Sequence, residues 1–141
     1  MDTADLDLLA ELFVPSGQLV VLAAGRERPL ATFKGPGTDG IGIIPTVMRE
    51  VYKSTMHSVT THAAAIDGDR ADGTAYCVAY HVAASEAGDV LETLGVRYRD
   101  EFVRTSDGWR FEQRFVTRLW THVAPASRAP LTIDLAIAAR R

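Results

Sequence analysis

The chain has one cysteine, Cys77, which excludes an intramolecular disulfide and any cysteine-rich metal site. Cys77 lies among Ala, Tyr and Val in a strand-like run, the setting of a small buried hydrophobe rather than of a reactive thiol. No apolar stretch approaches the roughly 18 residues of a membrane-spanning helix. The acidic N-terminus, beginning Met1-Asp2, does not read as a signal peptide. A cytoplasmic protein without a membrane partner is the expectation. Basic charge is also short: the formal net charge is −3, so there is no electrostatic footprint for nucleic acid. Arg97, Arg99, Arg104, Arg110, Arg114 and Arg118 cluster, but Asp100, Glu101 and Glu112 are interleaved with them. That pattern suits a salt-bridged sheet face better than a phosphate track.

What the chain has is enough apolar residue for one core. At 141 residues, 47% of them hydrophobic, it fits a single domain over 1–141, with 124–141 as a tail. Asp2 to Phe13 has leucines at helical spacing with acidic residues facing out, and Pro15-Ser16-Gly17 stops that helix. Gln18–Ala23 and Ala31–Lys34 read as a hairpin around a charged turn at Gly25. After Gly35-Pro36-Gly37 a second apolar stripe runs through Tyr52. Pro45 fits only the first turn of a helix, so the regular helix is expected over Pro45–Lys53.

From His57 onward the pattern is β. His57–Ile66 and Ala71–Ala83 flank a turn at Asp67–Arg70, while Val90–Thr105 and Trp109–Val123 flank Ser106-Asp107-Gly108. Long antiparallel strands after two helices argue α+β, with one sheet face covered by helices. The segment LTIDLAI in the tail fits either an edge strand or a short helix.

Alternation within each strand sets the faces. His57, Val59 and Thr61 share one, opposite His62; Cys77, Ala79 and His81 share another, opposite Tyr80. Val96, Tyr98, Asp100 and Phe102 fall together. Trp109, Phe111 and Phe115 lie opposite Arg114, Arg118 and Trp120. A face mixing Tyr98, Asp100 and Phe102 suits a curved sheet lining a partly apolar pocket. Equally, Asp100 can simply pair with a nearby arginine.

The order and spacing of MHSVTTH, IDGDRA, AYCVAYH and GVRYRDEFVRTSDGWRFEQRFVTRLW resemble the SnoaL-like branch of the nuclear transport factor 2-like superfamily. That branch includes polyketide cyclases, scytalone dehydratase, bile acid dehydratase and hexachlorocyclohexane dehydrochlorinase. The resemblance runs from Asp2 to about Trp120 and implies a cone-shaped, curved antiparallel sheet wrapped around helices. It also implies a cofactor-independent lyase or isomerase, of dehydratase or cyclase type, acting on a small hydrophobic substrate. His57 matches the general base and Asp2 the carboxylate that orients it. An imidazole titrates near neutral pH, and a carboxylate fixes its tautomer. His81, Asp100 and Arg114 match pocket positions, with Tyr98 and Tyr80 as further candidates. No metal or organic cofactor is implied.

Two features depart from the family pattern. The chain opens at Met1-Asp2, without the helix that relatives carry before the aspartate, and position 62 is histidine where relatives often have asparagine. The same fold also serves as a non-catalytic ligand-binding or oligomerisation module, and as a structural subunit like the small subunit of ring dioxygenases. A homodimer or homotrimer is expected, as in relatives.

Overall fold

A computed structural model of the protein describes residues 6–126. Its first element is a short helix, α1 (Leu6–Glu11), so the expected helix ends early. Phe13 leaves it because the sheet offers more: Phe13 is buried, its ring lies 5.1 Å from that of Phe111, and Phe111 N–H donates to the Leu12 carbonyl. Strand β1 (Phe13–Ala23) therefore begins before Pro15, and the Pro15-Ser16-Gly17 stretch becomes an irregularity inside it. The predicted hairpin forms, β1 pairing antiparallel with β2 (Ala31–Lys34).

A 3-10 turn (Ile41–Ile43) leads into α2 (Ile44–Val51), with Pro45 in its first turn as expected. The helix stops at Val51. Tyr52 is extended, and Lys53 N–H already donates to the Val82 carbonyl of the sheet. The remaining strands are β3 (Ser54–Asp67), β4 (Arg70–Ser85), β5 (Gly88–Thr105) and β6 (Gly108–Pro125), each slightly longer than its alternation predicted. Asp67 pairs with Arg70, and Gly68, at φ 58°, supplies the left-handed residue of that tight turn. Strand β6 extends into the predicted tail, whereas LTIDLAI lies outside the described residues.

The sheet order is β2-β1-β6-β5-β4-β3, curved and open. It is mixed rather than wholly antiparallel, because β1 runs parallel to β6. Parallel neighbours need a long crossover connection, and here the helices and four strands between β1 and β6 provide it. Two apolar clusters hold the inner face. Cys77, Ala79, Leu94 and Val96 form one, and Phe13, Leu19 and Ile41 the other, with Val116 packed against both.

Register shifts between β3 and β4 and between β5 and β6 leave Thr60 of β3 and Glu112 and Leu119 of β6 as extra residues. Each bulge reverses the alternation beyond it. His62 pairs with Ala75 and so returns to the inner face, correcting its placement opposite His57. Phe111 pairs with Phe102 and joins Arg114, while Trp120 pairs with Gly95 and turns to the outer face, away from Arg118.

The Trp120 indole lies directly over Gly95, so that a Cβ on Gly95 would clash with the ring atoms Cε2 and Nε1. Gly95→Val should therefore cost about 1–3 kcal/mol through overpacking. It should also expel the half-exposed indole into water. Denaturant melts and tryptophan emission check this: lower stability with a red-shifted spectrum is expected.

Candidate ligand pocket

The inner face of the sheet and helix α2 enclose a cavity of about 290 Å³. Apolar walls come from both: Leu19, Val21, Val96 and Val116 from the strands, Val47 and Met48 from the helix. The polar groups that reach it are Tyr52, His57, His81, Tyr98, Arg114 and Arg118. A small, mostly apolar cavity with few polar groups is the usual form of a ligand site. A larger, open hollow of about 450 Å³ lies between Ala63, Asp72, Arg99 and Glu101, but no histidine or helix closes it.

Strand register places the histidines. His57 pairs with Ala79, two residues from His81 on the same face, and the imidazole centroids are 5.3 Å apart. His81 is 8% exposed and stacks on Tyr52 at 4.5 Å. Tyr52 reaches this position because α2 ends one residue earlier. Its hydroxyl donates to Glu92 Oε2 at 3.0 Å. Burial first, then that carboxylate, raise the Tyr52 pKa, and the Arg118 guanidinium works in the opposite direction.

At the other end of the cavity Arg114 makes a two-pronged pair with Asp100, Nε to Oδ1 at 2.7 Å and a terminal nitrogen to Oδ2 at 2.8 Å. Its guanidinium is sandwiched by Tyr98 at 4.4 Å and Phe111 at 4.2 Å. Asp100 is 1% exposed and does not itself line the cavity. Its role is to hold Arg114, the pairing weighed for it from sequence. Burial, and after it the neighbouring Cys77 thiol, push the Tyr98 pKa well up, so this phenol stays protonated, with its hydroxyl hydrogen-bonded to Cys77.

Of the residues expected in the pocket, His57, His81, Tyr98 and Arg114 meet there. Tyr80 does not: it pairs with Met56 and Thr93 on the face opposite Ala79 and His81, where the alternation of β4 turns it away. His62, on the inner face, lies beside Gly73 and outside the cavity. Asp2 lies outside the described residues. Sequence reading missed Tyr52 and Arg118 as pocket groups. The signal for Arg118 was its even spacing from Arg114 along one strand; for Tyr52 it was an aromatic closing the helix stripe. Among the described residues no group of His, Cys, Asp or Glu is placed to hold a metal ion.

A SnoaL-like domain profile matches residues 1–114. The chain belongs to the SnoaL-like domain family. No curated protein matches it in sequence. Among solved structures this SnoaL-like domain is similar to a type 2 hexachlorocyclohexane dehydrochlorinase (LinA), with TM-score 0.76, 19% identity, and 94% of this chain and 84% of that one covered. It is also similar to a protein from Novosphingobium aromaticivorans assigned as a scytalone dehydratase, at TM-score 0.68 and 19% identity, covering 91% and 84%. An NTF2-like protein with a cystatin-like fold from the same organism matches at TM-score 0.60 and 20% identity, covering 99% and 79%. At these identities the likeness is one of fold. No helix among the described residues is long and apolar enough to cross a membrane.

Proposed function

We propose that this SnoaL-like domain is a cofactor-independent lyase or isomerase whose cavity binds a small, largely apolar, cyclic molecule and whose His57 removes a proton from it. The observation that carries this reading is the placement of His57. It is half-buried on the wall of an apolar cavity, with the buried His81 at 5.3 Å and Tyr52 stacked behind His81. A base in such a site meets the substrate C–H with little competing water, and positioned general bases contribute roughly 10²–10⁴-fold. Asp2 is the orienting carboxylate in this proposal, on the family pattern. Arg114 lines the opposite end, where a cationic donor stabilises negative charge developing on an enolate or leaving group. The dehydrochlorinase and dehydratase names of the structural neighbours support elimination as the reaction class.

The test is solvent deuterium incorporation at the acidic C1 position of 2-tetralone, a neutral bicyclic ketone, followed by NMR. Exchange that is saturable in ketone and faster than buffer at equal pH is expected. Exchange no faster than buffer contradicts the base role and favours a non-catalytic binding module.

A further inference from the structure

The arginines of this chain differ in what neutralises them. Arg114 is locked to Asp100, Arg70 to Glu112, and Arg104 to Asp69. Arg99 lies over Phe115. Arg118 makes no ion pair or side-chain hydrogen bond with any described residue, yet it lines the cavity. Its register fixes this orientation. Arg118 pairs with Val96, an inner-face residue of the core, and the Leu119 bulge keeps Trp120 from following it. The side chain is exposed, which places it at the cavity mouth. Its field reaches Tyr52, the ring stacked on His81, so this cation stands at the histidine end of the site. The nearby acid, Glu92, accepts from the Tyr52 hydroxyl and does not line the cavity.

We infer that Arg118 recognises a carboxylate on the ligand, so that the molecules this site takes are compact apolar ring systems bearing one anionic group. The inference rests on reading the cavity as the ligand site and adds the class of molecule that fills it. A guanidinium fork matches a carboxylate through two parallel hydrogen bonds, a geometry that a neutral amide or hydroxyl does not reproduce. The body goes to the apolar wall of Val96, Val116 and Met48. A cavity of about 290 Å³ suits a mono- or bicyclic frame. Because Arg118 is exposed, screening weakens the contact as salt rises.

The probes are 2-naphthoate and its uncharged near-isostere 2-naphthamide, titrated calorimetrically into the whole chain at low salt. The wild-type chain should bind naphthoate at least about tenfold more tightly than naphthamide, the scale of a charge-assisted hydrogen bond. Arg118→Met should remove that preference by weakening naphthoate alone, and Arg118→Lys should retain part of it. Equal affinities in the wild type, an undiminished preference in Arg118→Met, or no detectable binding of naphthoate would overturn the inference. The preference is an equilibrium quantity and should persist in His57→Ala, so its failure is distinguishable from failure of the catalytic reading.

Discussion

Replacing Arg114 by methionine should destabilise the protein by about 3–5 kcal/mol, because it strands a carboxylate that is 1% exposed. Asp100 then has lost both guanidinium hydrogen bonds, and no other described side chain donates to it. The native stability of a domain is only roughly 5–15 kcal/mol, so such a loss takes a large part of it. The cation over Tyr98 and Phe111 also disappears, although methionine retains much of the contact area. The pH dependence of the deficit separates charge from packing. A buried carboxylate without a partner has its folded pKa raised above the unfolded value. Its penalty is therefore largest at neutral pH and shrinks as the pH falls through that raised pKa. The difference between variant and wild type in urea melts should accordingly be smaller at pH 4.5 than at pH 7. Adding Asp100→Leu should recover much of the loss, since replacing both members of a buried pair is often close to neutral. A deficit that is independent of pH and not relieved by Asp100→Leu would mean that packing, not the ion pair, is what Arg114 supplies.

Much of this fold was legible from local patterns, since alternation and turn chemistry act over short distances. Asp67-Gly68-Asp69 and Asp107-Gly108 each close a hairpin. Pro45 marks the start of α2 because its ring permits little else. The grouping of Val96, Tyr98 and Asp100 on one face holds, as their partners Cys77, Ala75 and Gly73 show. What was not legible depends on residues distant in sequence. Phe13 continues a helical spacing, yet it is claimed by Phe111, nearly a hundred residues later. Nothing in Phe13–Ala23 itself says that this strand will run parallel to β6. The bulges at Thr60, Glu112 and Leu119 are likewise fixed by cross-strand register, and each moved a side chain to the other face. The pocket shows the same division. His57, His81, Tyr98 and Arg114 were reachable through alternation and family likeness, whereas Tyr52 enters only because the helix unwinds one residue before it.

His57→Ala carries the other large expected effect. The substitution removes a half-buried imidazole from the cavity wall and leaves the two apolar clusters untouched, so the fold should survive. Catalysis should not: losing a positioned general base costs roughly 10²–10⁴-fold. His81 is not an adequate substitute. It is 8% exposed, packed on Tyr52 and two residues along β4 from Ala79, the partner of His57, and both of its ring nitrogens are buried. Uniform weakening of ligand binding would indicate lost wall contacts. A selective loss of turnover indicates lost stabilisation of the transition state. The most direct measurement of the central claim is therefore the C1 deuterium exchange rate of 2-tetralone in wild type and His57→Ala, with 2-naphthoate affinity determined on the same samples. Exchange reduced by about 10²-fold or more, with affinity changed less than about threefold, is the result predicted for a general base. Exchange at the wild-type rate in His57→Ala would contradict it.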